Sequence, residues 1–233
     1  MVSEPAEFDV QLRESPFWQK REELSSLEEQ ELLGIINMES LATSRSGEPL
    51  RDFNLGSLAT DMFEEAAKPL GHPSRSYRQD NYAVTGGDIE YPDYYMIPRL
   101  AKELGVEVEE AISEAEKNRE VALVIKAASL IHGLIYIHPF RDFNGRVSRG
   151  LVHYVLKRLG YLLPDWQFEG RGRYLDAVSA GYQDRHEFEK FLSNALLSSY
   201  IKVGQDFEKL PDENLSTRET GIRRITRELE NYL

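Results

Sequence analysis

The sequence predicts an all-α fold with one short β-hairpin. Three observations support this fold class. Apolar residues recur at helical spacing over most of the chain. Residues 71–92 differ from the rest, because they are rich in Gly, Pro, Ser and Asn and contain short β-prone pieces around Tyr82–Val84. Gly86-Gly87 within this stretch is a turn signal, so a small hairpin is the simplest interpretation.

Caps and apolar faces predict the helices in chain order. Ser25-Ser26 followed by Glu28-Glu29 resembles a capping box, which predicts a helix running to about Met38 or beyond. Pro92 can begin a later helix that Gly105 ends. The remaining helices are predicted over Ser57–Lys68, Arg119–Tyr136, Gly145–Leu159 (closed by Gly160), Tyr174–Tyr182, Glu187–Tyr200 and Thr217–Tyr232.

Composition excludes several classes of protein. The formal net charge of −12, from 40 acidic and 28 basic residues, argues against nucleic acid or an anionic membrane as a partner. The absence of cysteine excludes disulfides, thiolate catalysis and zinc–thiolate sites. An acidic N-terminus and the lack of an apolar run of about 20 residues lead us to expect a cytoplasmic protein.

One segment, HPFRDFNGRVSR, concentrates residues suited to polyphosphate chemistry between two apolar helices. Asn144 is a natural helix N-cap, and Gly145 lets a phosphate approach the backbone at a helix N-terminus. Arg146 and Arg149 lie three residues apart, so both can reach phosphate oxygens from one helix face. Two further residues complete the set: Asp142 is a hard oxygen ligand for Mg²⁺, and His138 can accept a proton near neutral pH.

Each of these residues taken alone has an ordinary structural explanation. Together they supply a base, a metal ligand and two arginines at a helix N-terminus, which indicates phosphoryl-type or nucleotidyl-type transfer. His132 is excluded from this set, because its place on an apolar helix is typical of a hydrogen-bonded core histidine.

The same segment resembles the signature of the Fic family, H-x-F-x-[DE]-[GA]-N-[GK]-R-x-x-R, with Phe143 in place of the small residue. The likeness extends over roughly residues 70 to 200, including SYRQDNYAVTGG, which is similar to the family's flap hairpin. The family transfers AMP from ATP to protein hydroxyls. We expect the Phe143 side chain to turn away from the phosphates without requiring a positive φ.

The resemblance implies a role for each motif residue. His138 would deprotonate the target hydroxyl, Asp142 would bind Mg²⁺, and Arg149 would orient the γ-phosphate. Relatives with Lys in place of Gly145 are associated with phosphate transfer, so this glycine favours AMP transfer. The other implied roles are phosphate binding by Asn144, Gly145 and Arg146, core packing by Phe140, a nucleoside contact by Tyr174, and target binding by the flap residues Ala83, Val84, Thr85 and Gly86.

Some Fic proteins block their own ATP site with a helix that carries [ST]-x-x-x-E-[GN]. Thr226, Glu230 and Asn231 fit this pattern on an amphipathic terminal helix, and four-residue spacing puts Thr226 and Glu230 on one face. The resemblance implies that Glu230 pairs with Arg149 and inhibits the enzyme.

The predicted organisation has three parts: an N-terminal helical extension (1–70), the Fic domain (71–205) and a C-terminal segment with the inhibitory helix (206–233). ATP and Mg²⁺ are the expected substrate and metal, and the target is an unidentified protein, with the chain itself among the candidates. A homo-oligomer, a phosphotransferase using the same site and a non-catalytic binding module remain open alternatives.

Overall fold

The computed structural model describes residues 26–71, 76–81, 90–168, 170–207 and 216–233. Within these residues the chain is helical and contains no strand, which confirms the predicted all-α class. The predicted hairpin, with Ala83, Val84, Thr85 and Gly86, lies outside the described residues. The α-helices of the described part are α1 (Ser26–Ser46), α2 (Leu55–Ala67), α3 (Ile97–Asn118), α4 (Val121–Leu130), α5 (Gly133–Ile137), α6 (Asn144–Arg158), α7 (Gly170–Gln183), α8 (Arg185–Phe207) and α9 (Ser216–Tyr232).

Helix α6 lies at the centre of the core and contacts α1, α2, α4 and α5. Its inward residues are almost fully buried, and each contributes roughly 1.5–3 kcal/mol of burial free energy. They are Val147, Leu151, Val152, Val155 and Leu156. Helices α1 and α2 approach closely at Gly34, where a Cβ would stand 2.5 Å from the carbonyl oxygen of Ala66. This close packing holds α1 against the helix that carries the motif.

The predicted third helix is wrong at both ends. Pro92 precedes the helix, and a 3₁₀ turn at Tyr94–Met96 leads into α3 at Ile97. Gly105 does not end the helix, because it is the site where α2 packs against α3. A Cβ at Gly105 would stand 3.2 Å from that of Leu55, so the glycine is required by helix packing. The helix ends at Asn118, and Arg119 closes it with a positive φ of 56°.

The single helix predicted over Arg119–Tyr136 is two helices, α4 and α5, separated by a turn at Ile131 and His132. At Gly133 the Leu104 side chain lies against the backbone, only 3.2 Å from where a Cβ would stand. The turn redirects the chain, so the short α5 delivers the motif loop at its C-terminal end.

The last helix packs through its apolar face. Leu229 is fully buried, and Ile222 and Ile225 pack against the same core. Helix α9 contacts α8 and α4. No helix in the described ranges has the length and apolarity needed to cross a membrane.

Candidate active site

The motif loop connects α5 to α6 and is fastened by Asn144. This side chain is 4% exposed, accepts a hydrogen bond from the N–H of Phe140 at 3.0 Å and donates one to its carbonyl at 2.7 Å. Asn144 is the first residue of α6 and not its N-cap, which corrects the predicted cap by one position. Its amide group shapes the loop, so Asn144 can contribute to an anion site through its backbone N–H.

Phe143 is the N-cap of α6 and has a positive φ of 64°, so the expectation that this position does not require one is wrong. The left-handed conformation costs a non-glycine residue roughly 1–2 kcal/mol. The ring is 7% exposed and packs edge-on against Phe63 at 5.9 Å. Because burying a phenylalanine contributes about 1.5–3 kcal/mol, this packing offsets the backbone cost. Phe140 is fully buried and stacks on Phe63 at 4.4 Å, which confirms its packing role.

His138 terminates α5 in a left-handed conformation, with φ at 48°. Its Nδ1 lies 3.2 Å from the carbonyl oxygen of Ile135. A carbonyl only accepts, so Nδ1 carries the proton in the neutral ring and Nε2 carries the lone pair. Burial lowers the pKa of His138 below its ordinary value of 6.5, and nearby Arg78 acts in the same direction. The bond to Ile135 and the charge of Asp142 oppose that shift. At neutral pH the ring is therefore suited to accept a proton at Nε2.

Asp142 lies four residues beyond His138 with an exposed side chain. Its Oδ1 accepts a hydrogen bond from the N–H of Phe143 at 2.6 Å. Among the described residues no cluster of three or more His, Cys, Asp or Glu side chains could hold a metal ion. Mg²⁺ is commonly held by one or two carboxylates together with substrate phosphates, so one carboxylate here fits an ion that binds with a nucleotide.

The first turn of α6 presents backbone donors. No side chain caps the helix, and its first internal hydrogen bond runs from the N–H of Val147 to the carbonyl of Phe143 at 2.9 Å. The N–H groups of Asn144, Gly145 and Arg146 thus lack partners within their own helix. These donors and the positive end of the helix dipole favour an anion at this position.

Arg149 and Tyr174 lie together beside this turn. The guanidinium of Arg149 sits 5.1 Å from the centre of the Tyr174 ring and is hydrogen-bonded to that residue. Tyr174 is 7% exposed, and burial raises the pKa of its hydroxyl. A Cβ on Gly145 would stand 4.0 Å from both the Tyr174 hydroxyl and Nη1 of Arg149, so the three residues form one cluster.

Arg146 has a partner that sequence reasoning missed. Its Nη2 donates to Oε1 of Glu31 on α1 at 2.9 Å, and its guanidinium lies 4.6 Å from the centre of the Phe143 ring. Glu31 is spaced to share a helix face with the buried residues Gly34 and Met38. A carboxylate on such a face is a signal that could have predicted a cationic partner.

The structure does not bring Glu230 to Arg149. Both residues are described, and they form no ion pair, because Arg149 lies at Tyr174 while Glu230 is exposed on α9. Asn231 is exposed as well, and the Thr226 hydroxyl donates to the carbonyl of Ile222 at 2.9 Å within its own helix. The predicted inhibitory pairing is absent from this conformation.

His132 has the structural role that the sequence indicated. It is 2% exposed, its ring stacks on Phe188 with centroids 4.0 Å apart, and Nε2 lies 3.1 Å from the Tyr136 hydroxyl. Burial lowers its pKa to about 4, so the ring is neutral at physiological pH.

Comparison with known proteins finds a matching family model. The Fic/DOC family model matches residues 53–156, which include the motif loop and most of the helices around it. Residues 53–156 of the chain therefore form a Fic/DOC family domain. The subgroup with a C-terminal inhibitory helix and the three-part division of the chain stay predictions.

Two relatives of this chain carry activity names. A probable protein adenylyltransferase of Aquifex aeolicus is 30% identical over 148 residues, which make up 63% of this chain and 43% of that protein. The protein adenylyltransferase Fic of Nematostella vectensis is 35% identical over 80 residues, 34% of this chain and 16% of that one. The chain thus spans less than half the length of these relatives.

A solved structure shows the same fold. A Fic-domain-containing signaling protein from Bacteroides thetaiotaomicron superposes with a TM-score of 0.54 at 21% identity, covering 72% of this chain and 66% of that chain. At this identity the similarity establishes the helical fold and its connectivity.

Proposed function

We propose that this Fic protein transfers AMP from ATP to a hydroxyl group of a target protein. The observation that carries the proposal is the state of His138. Its Nδ1–H is bound by Ile135, its pKa is lowered, and it precedes the uncapped N-terminus of α6 by six residues. A neutral base next to an anion-binding turn is what hydroxyl attack on a phosphate requires.

In the proposed reaction His138 Nε2 takes the proton of the target hydroxyl as its oxygen attacks the α-phosphorus. The bond from this phosphorus to the bridging oxygen breaks, and pyrophosphate leaves with the electron pair. The amides of Gly145 and Arg146 and the side chain of Arg149 bind phosphate oxygens. Asp142 would hold Mg²⁺, which would neutralise phosphate charge.

In the proposed reaction Tyr174 assists nucleotide binding by orienting Arg149. Its buried ring holds the guanidinium of Arg149 close to Gly145. A preorganised arginine binds phosphate with less loss of side-chain entropy than a mobile one. Binding of a target backbone by Ala83–Gly86 remains part of the proposal and lies outside the described residues.

We also propose that the motif is regulated by a carboxylate from α1. Glu31 occupies a hydrogen-bonding position on Arg146 that a phosphate oxygen would otherwise take. No comparable hydrogen bond in the described part of the chain supports the predicted pairing of Glu230 with Arg149. Helix α9 is held in the core by Leu229, which is fully buried, while Glu230 is exposed.

The test of the transfer reaction uses ATP labelled at either the α or the γ phosphate. Protein-bound label is measured on the protein itself and on a cell lysate. We expect label from α-labelled ATP only, and a loss of about 10²–10⁴-fold in His138→Ala, the usual contribution of a general base. ATP binding should survive this substitution. His186→Ala, an exposed histidine on α8, is the matched control and should keep wild-type labelling.

Other outcomes identify the rival functions. Transfer of the γ label would show that the site is a phosphotransferase. Capture of partners without either label would indicate a non-catalytic binding module. Full activity in His138→Ala would contradict the assigned base.

A further inference from the structure

Arg78 is a buried arginine whose guanidinium joins three separate pieces of backbone. It is 4% exposed. Nε donates to the carbonyl oxygen of His138 at 2.8 Å, Nη1 donates to that of Asp80 at 2.8 Å, and Nη2 donates to that of Pro92. Its own backbone N–H donates to the carbonyl of Pro139 at 2.8 Å. Two consecutive carbonyls of the motif loop are thus held by one residue.

We propose that Arg78 is a positioning residue for the transfer reaction, which fixes the direction of the His138 imidazole by holding the carbonyls of His138 and Pro139, the two peptide groups that follow the histidine. The proposal rests on the proposed function in that His138 is the base. The guanidinium of Arg78 donates to backbone carbonyls outside the first turn of α6, so we expect its effect on the reaction to be transmitted through His138.

The backbone of His138 needs such support. A φ of 48° is uncommon for a residue with a side chain, and it persists where surrounding contacts fix it. The imidazole is held by the 3.2 Å contact from Nδ1 to the Ile135 carbonyl and by the Tyr91 ring, and it projects from the backbone that Arg78 binds. The direction of Nε2 therefore depends on the peptide groups that Arg78 binds.

Arg78 also holds the segment whose aromatic ring packs against the face of the His138 imidazole. The Tyr91 ring lies against His138 with centroids 4.1 Å apart. Tyr91 directly precedes Pro92, whose carbonyl accepts from Arg78. One guanidinium therefore places both the histidine backbone and the aromatic ring that packs on it.

A guanidinium is required by this arrangement. Its nitrogens lie in one rigid plane and point in fixed directions, so they can serve three acceptors on three segments at once. A lysine keeps the charge but supplies a single nitrogen on a flexible stem. Arg78→Lys therefore separates geometry from charge.

The positive charge of Arg78 gives a second, independent effect that can be measured, a change in the pKa of His138. Burial is the main cause of the lowered pKa of His138, and Arg78 lowers it further, while the Ile135 carbonyl and Asp142 raise it. Removing the positive charge raises the pKa of the histidine. The acid limb of the rate profile should then move to higher pH in Arg78→Met and stay in place in Arg78→Lys.

The experiment measures kcat for AMP transfer, the Kd for ATP and the pH profile in Arg78→Lys and Arg78→Met. Folding is checked by circular dichroism and by ATP binding. We expect kcat to fall at least about tenfold in both variants, since a misplacement of about 1 Å can cost 10²-fold. The Kd for ATP should stay within about twofold, because the guanidinium of Arg78 donates to the carbonyls of His138, Asp80 and Pro92, which lie outside the first turn of α6.

Arg141→Met is the matched control. Arg141 also links the motif loop to Asp80, through a 2.6 Å ion pair, but it is 74% exposed. An exposed pair contributes little, so kcat should stay within about twofold of wild type. A folded Arg78→Lys with wild-type kcat would overturn the proposal.

Nuclear magnetic resonance of the His138 ring separates this inference from the proposed function. If the wild type transfers no AMP, the function fails, but the ring titration still reports on Arg78. A higher pKa of His138 in Arg78→Met together with changed ring shifts in Arg78→Lys would support the positioning role. Unchanged ring signals in both variants would overturn it.

Discussion

At the scale of single residues, the decisive feature is a histidine kept neutral at physiological pH. Burial lowers the pKa of His138 below 6.5, so the unprotonated form dominates at pH 7 and above. The base is lost only as pH falls through this lowered pKa. We therefore expect the rate of AMP transfer to be flat near pH 7 and to decline in acid, with a midpoint below 6.5.

Single-turnover rates measured between pH 5 and 8, with ATP binding measured in parallel, test this expectation. Parallel binding data are needed because phosphate protonation also changes with pH. A midpoint at or above about 7 with unchanged ATP affinity would show that another group titrates.

The residue types of the motif could be predicted from sequence, while their contacts could not. The base, the carboxylate and the arginines lie within twelve consecutive positions. The positive φ of Phe143 depends on where Phe63 lies, and the pairing of Arg146 depends on Glu31, which is 115 positions away. Local sequence patterns do not show which residues far apart in the chain will contact each other.

At the scale of helices, α1 and α9 each carry a carboxylate for which we propose or predict an inhibitory role, Glu31 and Glu230, and a pair of variants distinguishes them. Glu31→Gln removes the charge that pairs with Arg146 and keeps the side-chain shape. The two side chains are 42% and 27% exposed, so the pair contributes about 0–1 kcal/mol. We expect ATP affinity and α-label incorporation to rise by no more than about fivefold, which is the factor that 1 kcal/mol allows.

Glu230→Gly is the comparison variant for this test. Its side chain is exposed and forms no ion pair with Arg149, so labelling should stay at the wild-type level. Activation by Glu230→Gly without activation by Glu31→Gln would contradict the role of α1 and restore that of α9. Isothermal titration with ATP beside the label assay distinguishes tighter binding from faster transfer.

The helices themselves were predictable where an apolar stripe ends at a cap. Helix α6 differs from its predicted range by one residue at each end, and Gly160 follows it with a positive φ of 79°. Prediction failed where packing overrides local signals, as at Gly105, where Leu55 and not a helix end explains the glycine. The turn before Gly133 likewise depends on Leu104, a residue of another helix.

At the scale of the whole molecule, the described α-helices other than α7 contribute to one hydrophobic cluster around α6, while Tyr174 of α7 belongs to a second cluster with Phe188 and Phe191. Met38 of α1, Leu151 of α6 and Leu229 of α9 all belong to it. A local change of protonation inside such a core therefore affects the stability of the entire fold.

The lowered pKa of His132 predicts how the free energy of unfolding changes in acid. Its pKa is about 4 in the folded protein because of burial, and about 6.5 in the unfolded chain. Between these values the unfolded state binds a proton that the folded state does not, so stability falls as pH decreases. The free energy of unfolding should drop by about 1.4 kcal/mol per pH unit, roughly 3 kcal/mol in total, from this residue. That is a large fraction of the roughly 5–15 kcal/mol that usually stabilises a domain.

The measurement compares urea unfolding of the wild type and His132→Gln from pH 8 to 4. Glutamine is uncharged throughout, so the variant, although less stable at pH 8, should lose less stability on acidification. Above about pH 7 the two curves should run parallel, since neither side chain at position 132 then takes up a proton on unfolding. Below that pH the wild-type curve should fall more steeply, and the two curves should converge. Equal slopes over the whole range would mean that His132 becomes protonated in the folded state. Its packing between Phe188 and Tyr136 would then have to open in acid without unfolding the core.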